Sequence, residues 1–238
     1  GDAGTEPDLL LNGRIPIYHS VSDLLLSAMD VFAFFGSSVC HQMAERSFFW
    51  GSLQSPVCAR CTGIEAGIVF GVLFFWLSGR KDGNRPFFAP TAVLLAVSFL
   101  PIAVDGVGSY LGFWESTQLR RVVTGAMAGY TIVPWFLLAG NFQPGKENVK
   151  PIFRHIGEPL LLLLATLLYG LAVWMGYVPY VLAGLITTVG ILCFYGGFWY
   201  LLLRLCCTGR RLPFIRLALC GGGATATGIA VLIQNLTL

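Results

Sequence analysis

The chain has 238 residues, 55% of them hydrophobic and 11% charged, with 15 Lys and Arg against 12 Asp and Glu; its mean hydropathy is +0.73. Soluble domains carry about 25% charged residues, so this composition excludes a cytosolic enzyme, a nucleic-acid-binding module and a disordered tail. It fits an all-α polytopic transmembrane helix bundle, in which the net charge of +3 matters only through where the charges fall.

Residues 1–20 read as a polar N-terminal extension and 21–238 as a single transmembrane domain. Gly1 with Thr5 fits a myristoylation pattern that is short and common. Val21–Val39 is apolar but interrupted by Asp23 and Asp30, which suits either a tilted helix or an amphipathic helix lying at the interface. Residues 39–61 form an outer Cys/His loop. Six continuous apolar stretches follow, at about 62–78, 87–104, 118–140, 159–175, 180–205 and 213–236, each of roughly spanning length. Lipid offers the backbone no hydrogen bonds, so these runs predict helices, and they lack the alternation of barrel strands. Pro90, Pro101 and Pro134 are placed to kink their spans. The small residues Gly221, Gly222, Gly223, Ala224, Ala226 and Gly228 predict close helix packing in the last one.

Orientation follows from the cations in the short loops. Arg80, Lys81 and Arg85 follow the first firm span, Lys146, Lys150 and Arg154 the third, and Arg204, Arg210, Arg211 and Arg216 the fifth. That side is expected to be cytoplasmic. The extracytoplasmic side then receives Arg14, Arg46, Arg60, Arg120 and Arg121 together with the Cys/His loop.

Of the cysteines, Cys193, Cys206, Cys207 and Cys220 fall in or at the ends of hydrophobic helices, where packing is the default. Cys206 and Cys207 also lie where a cytoplasmic-edge cysteine is open to palmitoylation. Cys40, Cys58 and Cys61 share one polar segment. The C-x2-C pair brings two thiolates within reach of one tetrahedral ion, and Cys40 and His41, 18 and 17 residues before Cys58, can be returned to it by a simple loop. Three thiols and an imidazole make a Cys3His zinc set. An iron–sulfur centre and a disulfide on the oxidising face use similar residues and remain alternatives. The pair opens a membrane helix, whose positive dipole end favours thiolate.

Charged residues gather at the same level. Arg60 lies between the paired cysteines, Glu65 one turn into the helix, and Asp105 at the outer end of its span; Glu115, Arg120 and Arg121 come from the next outer loop, with Thr124 one turn below. If residues 41–45 are helical, His41 and Glu45 share a face. Ionisable groups near lipid are expensive, so Glu65 and Asp105 are expected to pair with Arg60, Arg120 or Arg121. Together with the thiols these residues predict a polar pocket at the outer membrane surface, with Glu45, Arg60, Asp105, Glu115 and Arg121 as catalytic candidates.

The run Cys40-His41-Gln42, Glu45-Arg46-Ser47-Phe48, Gly51 and Pro56-Val57-Cys58-Ala59-Arg60-Cys61-Thr62-Gly63 resembles a family of small prokaryotic membrane proteins, domain of unknown function 2085. Asp105-Gly106, Gly112, Glu115-Ser116-Thr117, Arg121 and Thr124-Gly125 resemble its next motif. The resemblance covers about Val39 to Gly129. It leads one to expect arginine, asparagine and an aromatic residue where Trp114, Gln118 and Glu65 stand. It implies a prokaryotic cytoplasmic membrane and supports the site, but it assigns no reaction.

Two functions follow. The first is an integral membrane protein binding zinc at Cys40, His41, Cys58 and Cys61, acting as an accessory or structural subunit of a membrane complex; its partners are the bilayer and other membrane subunits. The alternative is a zinc-dependent enzyme acting on a lipid or lipid-linked substrate, with Glu45 or His41 as general base and Arg60 or Arg121 holding an anionic group. A closed four-ligand site favours the first and an open position the second.

Overall fold

The computed structural model describes residues 29–206 and 214–237. The expected N-terminal extension, the Gly1–Thr5 pattern, Asp23 and Cys207 lie outside the described residues. In chain order the elements are α1 (residues 29–37), a short 3-10 turn (Ala44–Arg46), β1 (Ser47–Trp50), β2 (Leu53–Cys58), α2 (Ala59–Leu77), α3 (Ala89–Val97), α4 (Leu100–Tyr110), α5 (Gln118–Asn141), α6 (Gly157–Trp174), α7 (Tyr180–Cys206) and α8 (Phe214–Thr237).

Five stretches among the described residues are long and apolar enough to cross a membrane: α2, the α3–α4 pair over Ala89–Tyr110, α5, α6 and Tyr180–Arg204 of α7. The expected sixth lies in α8, whose described apolar part, Cys220–Ile233, is shorter than a full crossing. The all-α bundle stands, with five qualifying spans among the described residues.

The second span is not one helix. It breaks between α3 and α4, where Pro101 falls in the first turn of α4 and its missing N–H costs nothing. Ser98 ends α3, its hydroxyl bonded to Leu94 O at 2.7 Å and 2.7 Å from the Tyr130 hydroxyl of α5. Because α4 runs on to Tyr110, Asp105 sits more than a turn inside it. Pro134, by contrast, is accommodated within α5.

The 39–61 segment also departs from a plain loop. β1 and β2 form an antiparallel hairpin, pairing Ser47 with Cys58, Phe49 with Gln54 and Trp50 with Leu53. Gly51 turns it with φ of 63°, the positive value that the first position of a II′ hairpin turn requires. Lying beyond the spanning helix, this segment can leave edge groups to water, which strands inside lipid cannot.

The bundle is centred on α2 and α5. Gly63, Gly67 and Gly71 lie four residues apart on one face of α2; Gly63 and Gly67 meet Gly125 and Gly129 of α5, and Gly71 meets Val133. A Cβ on Gly67 would collide with the Tyr130 backbone, and one on Gly125 with the Arg60 carbonyl. Without a hydrophobic effect between helices in lipid, such close approach supplies the packing attraction. In α8 the expected small-residue contact is made at Gly222, whose Cβ would lie 2.6 Å from Gly196 N, whereas Gly223 and Gly228 face open space. Gly67→Ala is therefore expected to destabilise the bundle by about 2 kcal/mol through overpacking, and Gly223→Ala to change little. Thermal melts of the purified protein in detergent check both.

The chain order puts the hairpin and the 111–117 and 175–179 connections at one end. At the other, Asn84 and Arg85 N–H groups bond Lys150 O at 2.9 Å, and Arg80 forks onto Glu158 at 2.6 and 2.9 Å. That second end carries Arg80, Lys81, Arg85, Lys146, Lys150 and Arg154.

Candidate metal centre

The trio of cysteines comes from three elements. Cys40 follows α1, Cys58 ends β2 and caps α2, and Cys61 lies in the first turn of α2. α1 can reach β2 because Gly36 has no side chain to strike the Pro56 carbonyl. Gln42 holds the junction. It takes a φ of 52°, uncommon for a residue with a side chain, and its amide donates to Ala33 O at 2.7 Å and Pro56 O at 2.8 Å. Gln54 in turn donates to Gln42 O at 2.5 Å.

The three sulfurs all lie within 4.8 Å of one another. Sulfurs on one tetrahedral zinc sit ~3.8 Å apart, so the trio is close enough to share an ion. Backbone N–H groups of Cys58 and Gln42 point at Cys40 Sγ, at 3.2 and 3.4 Å, the kind of outer bonding that orients ligand sulfurs. Hydrogen bonds from the Cys40 and Cys61 thiols push the Cys58 thiol far below its ordinary value. The same shared bond with Cys58 raises Cys40, and burial adds to it. Cys58 is thus the sulfur of the trio that ionises most readily. The described cysteines are all free thiols.

His41 does not join them. Among the described residues the converging donors are the three cysteines alone, and His41 is exposed. Of the expected Cys3His set, the three thiols converge and the His41 ring lies outside them. The expected helical pairing of His41 with Glu45 also fails: the 3-10 turn starts only at Ala44. Glu45 is exposed and reaches Arg46 at 3.8 Å. Glu115 is exposed as well.

The remaining candidates do assemble. Arg60 pairs with Asp105, Ser116 Oγ donates to Asp105 Oδ2 at 2.9 Å, and Arg121 Nε donates to Ser116 O at 3.2 Å. Arg121 feels the charges of Arg60, Arg46, Asp105 and Cys58, so this network adjoins the thiols. Asp105 and Arg121 are buried; Arg60 Nε and Asp105 Oδ1 have no hydrogen-bond partner among the described residues. Arg120 is exposed, and the Thr124 hydroxyl turns back to its carbonyl at 2.9 Å. Glu65 contradicts its expected pairing: it is 4% exposed and its Oε2 has no partner, the carboxyl packing against Gly190 of α7.

Sequence reasoning missed the polar braces. Thr117 caps α5 through Arg120 N at 3.2 Å, the usual task of a threonine before a helix. Gln118 donates to Glu45 O at 3.0 Å and Ser47 O at 3.3 Å, fastening the hairpin to α5. Trp50 donates to Val178 O at 2.8 Å, joining it to the α6–α7 turn. Gln42 and Ser116 fall inside the family-like motifs, but only the folded chain shows what they hold.

These features define a polytopic membrane protein with three thiols gathered at one rim beside a buried arginine–aspartate network. The chain belongs to the family described as predicted membrane protein (DUF2085), whose family model matches residues 40–134. It is 38% identical over 101 residues to an uncharacterised protein of Methanocaldococcus jannaschii, covering 42% of this chain and 63% of that one. It is 34% identical over 91 residues to an uncharacterised protein of Methanothermobacter thermautotrophicus, covering 38% and 78%. The chain therefore spans less than two thirds of the first relative's length. No solved structure matches it. The family match begins at Cys40 and ends inside α5, so it takes in the trio, Arg60, Asp105, Ser116 and Arg121 and leaves α6 to α8 outside.

Proposed function

We infer that this protein holds a thiolate-seeking metal ion, zinc first, at Cys40, Cys58 and Cys61 on the extracytoplasmic rim, and acts there on an anionic lipid or lipid-linked molecule. The observation that carries this reading is the convergence of three thiols without His41. Three protein ligands leave a tetrahedral position open, the arrangement of catalytic rather than structural zinc. Bound there, zinc supplies Lewis acidity and lowers the pKa of a water or thiol. The chain's own residues then divide the work. Cys58 enters as thiolate. Arg60 and Arg121, held in place by Asp105 and Ser116, offer donors and positive charge to a phosphate or carboxylate at headgroup level.

The accessory-subunit reading has one observation in its favour. An ion on the trio would tie α1, the hairpin and α2 together, and the same end exposes Phe49, Tyr110, Phe113 and Tyr177, a surface suited to another membrane protein. In that reading a partner's side chain completes the ion's shell.

Cobalt substitution separates the two. The wild type and His41→Ala are both expected to show thiolate-to-cobalt charge-transfer bands, and added imidazole is expected to shift the d–d bands by entering the open position. Unshifted bands would favour the closed, structural site. Loss of the bands in His41→Ala would return histidine to the ligand set, and absence of cobalt and zinc with a measurable disulfide or iron content would replace the zinc reading.

Metal affinity is also expected to rise with pH. Ligand thiols must lose their protons to bind; the Cys58 thiol is the one its neighbours push down, so fewer than three protons should be released per ion. Calorimetry in buffers of different ionisation enthalpy between pH 6 and 8 measures that number.

A further inference from the structure

At the end opposite the thiols, a cavity of about 600 Å³ lies between the start of α3 and the α5–α6 connection, with Arg85, Phe87, Phe88, Thr91, Phe153 and Arg154 in its wall. Neither guanidinium has a described acidic partner. The nearby Glu158 carboxylate is taken by Arg80 and by the backbone N–H of Arg154. Thr91 is fully buried and its hydroxyl has no hydrogen-bond partner, a cost that a ligand atom in the cavity would remove.

Deeper along α3 lies a second, apolar groove of about 540 Å³, walled by Ala96, Phe99, Ile132, Trp135, Phe136 and Phe194. The two are neighbours: the Phe87 ring of the first cavity packs edge-on against Trp135 of the second at 5.1 Å. A polar, cationic chamber beside an apolar trough nearer the bilayer centre has the charge order of a lipid.

We propose that this cleft is a specific site for an anionic phospholipid. The phosphate lies between Arg85 and Arg154 with Thr91 donating to it, and one acyl chain runs past Trp135 into the groove between α3, α5 and α7. Diffuse attraction to an anionic surface would engage every cation at this end alike. The cavity singles out two arginines and one threonine. The site is at the far end from the cysteines and does not depend on what they bind.

Trp135 reports on it. The full chain is reconstituted in phosphatidylcholine containing one fifth phosphatidylglycerol, with bromine on the acyl chains of one lipid or the other. The quenching lost on Trp135→Phe isolates this residue from the other tryptophans. Brominated phosphatidylglycerol is expected to quench Trp135 several-fold more, mole for mole, than brominated phosphatidylcholine. Arg85→Gln and Arg154→Gln should each cut that preference by about fivefold. Thr91→Val, which removes an unpaired hydroxyl without changing shape, should weaken the preference while raising the melting temperature of lipid-free protein. Both arginines are exposed, so unchanged helical circular dichroism is expected in their variants. Equal quenching by the two lipids, or a preference that survives the double arginine variant, would reduce the cleft to ordinary annular lipid and overturn the proposal. Loss of the preference on adding inorganic phosphate would assign the chamber to a soluble anion instead.

Discussion

Replacing Cys58 by serine is expected to take bound zinc from about one ion per chain to near none after dialysis. Structural zinc in small sites binds with ~10–16 kcal/mol shared among four ligands, so loss of one ligand is worth roughly 3 kcal/mol, over a hundredfold in affinity. Cys58 has the largest share because it is the thiol its neighbours push down and it links β2 to α2. Cys40→Ser should follow closely, since its sulfur also receives the two backbone N–H groups. Cys193→Ser, in α7 away from the trio, should keep its metal. Elemental analysis of the four proteins, alongside circular dichroism to show that each has folded, decides the matter. Full zinc in folded Cys58→Ser would remove the trio as the binding site.

The second large effect is expected at Asp105. Its carboxylate is 3% exposed and pairs with Arg60 across the α2–α4 contact. Asp105→Ala leaves the Arg60 charge beside apolar helices with no counterion, and breaking a buried pair on one side costs about 3–5 kcal/mol. A part of Arg60 reaches solvent, so the lower value applies, equivalent to a fall in melting temperature of roughly 10 °C for a chain of this size. Removing both partners, Arg60→Met with Asp105→Leu, should recover most of the loss. The single variant also frees Ser116, and through it Arg121, so it should disturb the anion-binding part of the site as well as stability. Thermal melts of the single and double variants in detergent give the coupling directly, and additive losses would mean that the pair does not hold α4 against α2.

Much of this was legible from residue types and spacing. Cys58-x2-Cys61 before a long apolar run announced a pair of thiols at the mouth of a membrane helix, and Cys40 was close enough in sequence to return. Asp105 was expected to find an arginine because lipid leaves a carboxylate few other choices, and Arg60 is that partner. The glycine spacing of α2 and α5 is as plain in the sequence as the small-residue run of α8, where close contact falls at Gly222. The shared face of His41 and Glu45 depended on a helix over residues 41–45, and a left-handed Gln42 followed by a 3-10 turn that starts only at Ala44 removes it. Glu65 departs for a different reason. The rule that buried carboxyls seek cations gave way to a site packed tightly against the Gly190 backbone, where no arginine reaches.

By itself, the sequence determined the solvent in which this protein lives, the rough extent of its helices, and which cysteines could act together. Those properties depend on hydropathy and short spacing, which the chain carries locally. Only the tertiary structure decided that three thiols converge with His41 exposed beside them, that Ser116 and Arg121 join Arg60 and Asp105, that Glu65 stays alone, and that Arg85, Thr91 and Arg154 share a cavity. Each of those depends on residues far apart in the chain meeting at a given depth, which is set by how closely α2 and α5 approach and where α3 breaks.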